Sequence, residues 1–295
     1  MYALLAFGFC LYFPNVLVGK LASKDTNNRI LVYKYSLYGA LLSAGIGLLL
    51  VLVNQATVTF DFVTLSTSLL FGVMMSVCQI ATLYSLQVTS VAISNMSATV
   101  SIIIPCFVGM VFFNESITAG KIIGILIFFI AAYLIIAQNG EEKRSFTMKS
   151  LIACLLIFLT SGFGSISMQL FSNYSKGVSD SLFMLYSYIF NSLILFAFIL
   201  ILIKKQNADE ASETTVLSKR LLWLGVVKAV TLFFIQQTNV VLANQIPAAV
   251  LFPVLQSGAL IMGAIVGWLI FKEKLSVKNI IGIALAIGAL VLLNF

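Results

Sequence analysis

The chain has 295 residues, 61% of them hydrophobic and 9% charged, with a mean hydropathy of +1.09 and a formal net charge of +7. A soluble domain carries about 25% charged residues, so this chain cannot be solvated as a globule. It contains no His, which removes the commonest metal ligand and general base, and no cofactor or metal site is expected.

Crossing a hydrocarbon core of about 30 Å takes roughly 20 apolar residues in a helix rising about 1.5 Å per residue. In chain order, apolar segments of this kind lie at 1–21, 31–53, 64–86, 90–113 and 119–137, then at 150–174, 180–203, 220–241, 246–271 and 277–295. Their lengths, with Gly inside them and no sustained alternation, favour helices over the roughly ten-residue strands of a barrel. The predicted fold class is an all-α integral membrane protein with ten transmembrane helices. The first segment has no cationic stretch ahead of it and is too long for a signal-peptide core, so it is read as a retained helix. The longest polar stretches, "AQNGEEKRSFTMK" (137–149) and "KKQNADEASETTVLSKR" (204–220), are of linker size. Cys10, Cys78, Cys106 and Cys154 occur singly within the segments. They read as small buried hydrophobes, without metal-ligand or redox spacing.

A phrase recurs along the chain. "FFNESITAGKIIGI" (112–125) and "IFKEKLSVKNIIGI" (270–283) place Glu115 and Glu273, and Gly124 and Gly282, 158 residues apart. The same offset puts Gln79 on Gln237 and Gln87 on Gln245. The chain therefore divides into a repeat at 1–137, a linker at 138–149 and a second repeat at 150–295. Five spans per repeat is an odd number, so the second copy enters the membrane from the opposite side. Inverted repeats are an arrangement of secondary transporters, whose halves exchange conformations around a central site. Each Glu is expected where a fourth helix ends, with Thr118 or Ser276 capping the fifth helix and the carboxylate near its positive end. Gly124 and Gly282 would then allow a neighbouring helix to approach closely. This reads as a structural corner, with proton coupling through Glu115 or Glu273 as the alternative.

These residues resemble the drug/metabolite transporter superfamily, in its ten-helix EamA type. The pattern stands as Phe113, Glu115, Ile117, Thr118, Gly124 and Ala131, and again as Phe271, Glu273, Leu275, Ser276, Gly282 and Ala289, and it covers both halves. The resemblance implies secondary transport of small metabolites, commonly export of amino acids or related solutes, through a cavity between the halves. One departure is Pro105, which lies closer to Glu115 than the family's fourth-helix proline; the second half has Gly263 at that place and Pro253 further upstream.

Ionisable groups inside a membrane are costly and usually face a cavity. Lys228, two turns inside the eighth segment, and Lys34, one turn inside the second, are the candidates. At about 100° per residue, Lys228, Thr231, Gln236 and Asn239 share one side of their helix. A cavity role for either lysine implies a substrate bearing a carboxylate or phosphate; the competing reading is a long stem that lifts its ammonium to the interface. Asn95, Gln169, Asn239 and Gln256 are further candidate substrate contacts, because a bare amide in hydrocarbon needs partners, and Tyr84 is named with them. Ser161, Ser165, Gln169 and Ser172 form a stripe of the kind used for tight helix packing. No Asp or Glu lies deep in any segment, so the buried carboxylate expected of the superfamily's small four-helix proton antiporters is missing. Intramembrane catalysis would need paired acids, a Ser–His pair or a metal cage, and a lone Ser–Lys dyad is all the chain offers.

The expected function is transport of an amino acid or related carboxylated or zwitterionic solute, with organic phosphates or nucleotide conjugates as the alternative. The expected partners are that small molecule and the lipid bilayer, without nucleic acid; oligomeric state is left open. Thirteen Lys and Arg follow the odd-numbered segments one, five, seven and nine, whereas Lys121 and Lys176 stand on the other side. The positive-inside rule makes the richer side cytoplasmic and the termini external, while the resemblance implies cytoplasmic termini.

Overall fold

The computed structural model describes residues 2–26, 28–88, 97–113, 118–136, 148–175, 177–205, 216–270 and 277–292. Among the described residues there is no strand. The helices are α1 (Tyr2–Asp25), α2 (Arg29–Val53), α3 (Phe62–Val88), α4 (Ile103–Phe112), α5 (Ala119–Ile136), α6 (Met148–Tyr174), α7 (Asp180–Lys205), α8 (Lys219–Ala243), α9 (Ala248–Leu269) and α10 (Val277–Leu292). Six of them, α1, α2, α3, α6, α7 and α8, are long and apolar enough to cross a membrane. Large apolar side chains such as Leu49, Leu52, Leu193 and Trp223 are exposed on their outer faces. Helices of this length with apolar outer faces fit an all-helical protein embedded in a membrane.

Local chemistry sets the ends. Asn28 Oδ1 accepts the Ile30 N–H at 3.1 Å ahead of α2, and Ser218 Oγ accepts the Leu221 N–H at 3.2 Å ahead of α8. Each satisfies one of the orphan donors of a helix N-terminus. The segment expected at 90–113, with Pro105 inside it, is described from residue 97 on and is not one continuous helix. A helical turn at 97–100 gives way to a turn at 101–102, and α4 starts only afterwards. Pro105 has no N–H for the Ser101 carbonyl, which instead takes the Ile104 N–H at 3.0 Å.

Polar contacts pin the helix ends to two opposite faces. At one, Arg220 pairs with Asp25 at 3.3 Å and the Gln87 amide donates to the Thr26 carbonyl. At the other, Asn54 donates to Ser181 at 3.1 Å, Thr64 to Ser175 at 3.1 Å and Asn244 to Asp180 at 2.9 Å. Thus α1 runs toward the first face and α6 toward the second; α3 ends at the first face, where α8 begins. The packing has a matching pattern. α3 lies on α6 as α1 lies on α8, α3 on α7 as α8 on α2, and α1 on α9 as α6 on α4, while α2 packs on α7 and α5 on α10.

The core is aromatic where α3, α6, α7 and α8 meet. Phe171 stacks on Phe183 with centroids 4.3 Å apart, and Tyr188 lies 5.5 Å from Phe233. A second core joins α4, α5, α9 and α10 through Phe128, Cys106, Phe252 and the small residues Ala131 and Ala289. Gly124 and Gly282 are buried on α5 and α10.

Candidate functional site

Lys228 lies nine residues beyond the start of α8, roughly 13 Å along its axis. Its ammonium nitrogen stands 5.7 Å from the centroid of the Tyr35 ring, within cation–π range. Around it, Tyr35, Ser36, Gly39 and Ser43 of α2, Gln79 of α3, and Gly225 and Ala229 of α8 line a narrow pocket of about 20 Å³. That is room for about one water. Gly225 makes the approach of α2 possible, since a Cβ there would come within 2.8 Å of the Tyr38 ring and 3.6 Å of Tyr35.

Ser43 Oγ donates to the Ala229 carbonyl at 3.4 Å. The Tyr35 hydroxyl and Ser36 Oγ are buried without a hydrogen-bond partner, and no carboxylate pairs with Lys228 among the described residues. One ammonium and two unengaged hydroxyls converging on one pocket form a set of donors for an anionic group. Hydrogen bonds from a charged donor are about twice as strong as neutral ones.

The other expected site residues divide. Thr231 and Asn239 share the Lys228 helix but face α1. Thr231 accepts from Asn15 at 3.2 Å, and Asn239 bonds Tyr12 and donates to Gln236 at 3.2 Å. Gln169 is buried at 4% exposure and donates to the Pro105 carbonyl at 3.4 Å, tying α6 to the start of α4. Its neighbours in the serine stripe also make interhelical contacts: Ser161 with Cys78 at 3.4 Å, and Ser172 donating to the Ala243 carbonyl at 2.9 Å. Lys34 is half-buried on α2 outside this pocket, and so is Gln256 on α9. Tyr84 lines a separate cleft with Tyr33 and Lys149. Asn95, Glu115 and Glu273 lie outside the described residues.

Tyr35, Ser36 and Gln79 were not expected at the site. Tyr35 and Ser36 sit in an apolar run, "LVYKYSLYGALL", where they read as core. The repeat carried a signal for Gln79, through its match to Gln237.

Comparison with known proteins gives the fold and leaves the activity open. No family model matches the chain. An uncharacterized protein of Haemophilus influenzae is 22% identical over 203 residues, covering 68% of this chain. The match spans 66% of that relative, just under two thirds of its length. A solved crystal structure, described only as that of a protein, is similar over 98% of both chains with a TM-score of 0.71 at 14% identity, so this chain shares its fold.

Proposed function

We propose that the chain is a carrier of the drug/metabolite transporter superfamily, EamA type, with ten spans in two inverted five-helix repeats. It moves a small carboxylated or zwitterionic metabolite, such as an amino acid, by alternating access, and it performs no catalytic step. The duplicated Glu–Gly phrase, the opposite directions of α1 and α6 and the exchangeable packing pairs support the repeat. The observation that carries the substrate class is Lys228: a half-buried ammonium in the pocket of Tyr35, Ser36 and Gln79 without an opposing carboxylate among the described residues. A pocket of about 20 Å³ is too small for a carboxylate group. Binding therefore requires α2, α3 and α8 to separate, as alternation between open and closed forms demands.

The same donors suit a phosphate, which keeps organic phosphates as a second reading. Thermal unfolding of the detergent-purified protein against amino acids, their amides, organic acids and organic phosphates separates the two. A ligand at about one hundred times its Kd stabilises by about 2.7 kcal/mol. Stabilisation by an amino acid that disappears on amidation of its carboxylate is the expected result. Stabilisation confined to phosphates would favour the second reading, and stabilisation by quaternary amines would contradict both.

The positive-inside rule puts the cation-rich face, with Lys24, Lys149, Lys204, Lys219 and Arg220, in the cytoplasm, against the cytoplasmic termini that the resemblance implies, and labelling decides between the two. Val216, 80% exposed, marks that face and Gln55, also exposed, the other. In a background with the four native cysteines replaced, V216C is expected to resist an impermeant maleimide in intact cells while Q55C reacts. The reverse pattern would overturn the assignment.

A further inference from the structure

The cleft lined by Tyr84 is larger than the Lys228 pocket and differs from it in kind. It holds about 390 Å³ between α2, α3, α6 and α7. Its walls are apolar, from Ile80, Leu156 and Phe198, and its one cationic side chain among the described residues is Lys149. Ile152 and Leu156, 52% and 39% exposed, form the α6 side. The cleft therefore opens sideways, onto the surface that faces hydrocarbon, and not toward the Lys228 pocket. Tyr33 and Tyr84 each lie about one turn from a helix end, and Lys149 is the second residue of α6. All three ends belong to the cation-rich face, so the polar groups stand at headgroup depth and the apolar walls run inward from them.

We infer that this cleft is a binding site for an anionic membrane phospholipid, with one acyl chain against α3, α6 and α7 and the phosphate paired with Lys149. Charge complementarity selects the occupant. A cationic side chain above an apolar slot, on the face where Lys and Arg are concentrated, recognises an anionic headgroup that is joined to a hydrocarbon chain. A soluble anion would leave the apolar walls uncovered, and a zwitterionic lipid would bring its own headgroup cation beside Lys149. This assignment needs the membrane location of the chain and is independent of what it carries.

The test is native mass spectrometry and thermal unfolding of the whole protein in neutral detergent, with phosphatidylglycerol and phosphatidylcholine of identical chains. Retention of phosphatidylglycerol over phosphatidylcholine, with a rise in Tm of at least about 3 °C, is the expected result. K149Q, at an exposed position, should erase the preference while both lipids still bind. L156W, which fills the slot from its open side, should weaken both. Equal retention of the two lipids by the wild type would overturn the site. So would a preference untouched by K149Q, or the same Tm rise from glycerol phosphate, which has the headgroup and no chain.

Discussion

On the carrier reading proposed above, Lys228→Met is expected to abolish binding and flux of the carboxylate-bearing substrate while leaving the protein at least as stable as the wild type. The two effects have opposite origins. Removing one partner of a desolvated charge pair costs about 2–5 kcal/mol of binding, or at least about thirtyfold in affinity. In the unliganded protein no carboxylate among the described residues offsets the ammonium, whose contact is the Tyr35 ring face. Replacing a partly buried charge with an apolar side chain of similar length is then neutral or stabilising. Lys228→Arg keeps the charge in a wider, planar group, and the pocket of about 20 Å³ leaves little room for it. It should retain part of the binding with reduced flux. Ligand-dependent Tm shifts and counterflow at matched expression read both quantities. A K228M protein that binds and carries the substrate normally would remove Lys228 from the site.

Gly72→Ala is expected to be among the most damaging single-methyl changes in the chain. At Gly72, α3 crosses α7 so closely that a Cβ would stand 2.8 Å from Phe190 Cβ, 2.8 Å from the Ser187 carbonyl oxygen and 3.0 Å from the Asn191 N. Two of these are backbone atoms of α7 and cannot rotate aside, so the helices must part. Parting them also strains the hydrogen bond by which Ser76 Oγ donates to Asn191 Oδ1 at 2.7 Å, one turn along. Overpacking of this kind costs about 1–3 kcal/mol, and each kcal/mol lowers Tm by roughly 2–4 °C in a chain of 150–250 residues. Gly45→Ala is the matched control, because nothing lies within 4 Å of a Cβ there. It should leave Tm unchanged or raise it slightly through helix propensity. Equal Tm values for G72A and G45A would show that the α3–α7 crossing is looser than its geometry indicates.

Helix positions were readable because hydropathy and terminal chemistry agree. The segment expected at 180–203 forms Asp180–Lys205, and that at 220–241 forms Lys219–Ala243. What could not be placed was the break ahead of α4: Pro105 marks the segment for a kink, but where it falls depends on which N–H reaches the Ser101 carbonyl. Hydropathy does not register that. Lys228 was legible because a cation in an apolar run has few explanations. Its surroundings were not, because a Tyr or Ser facing a cavity and one facing a core are spelled alike; only the packing of α2 on α8 distinguishes them. Gln169 shows the converse. Its amide N–H joins α6 to α4 and supplies interhelical hydrogen bonding of modest value, about 0.6–2 kcal/mol in such bundles, while its Oε1 is buried without a partner, so polarity alone does not divide packing from binding.

The most direct test of the carrier reading is counterflow in proteoliposomes loaded with the ligand that stabilises the purified protein. Saturable uptake of labelled ligand, driven by its unlabelled form inside and lost in K228M, is the expected result. Tight binding with no exchange across the bilayer, in liposomes shown to be sealed and to contain folded protein, would contradict transport and make the chain a membrane-bound ligand sensor.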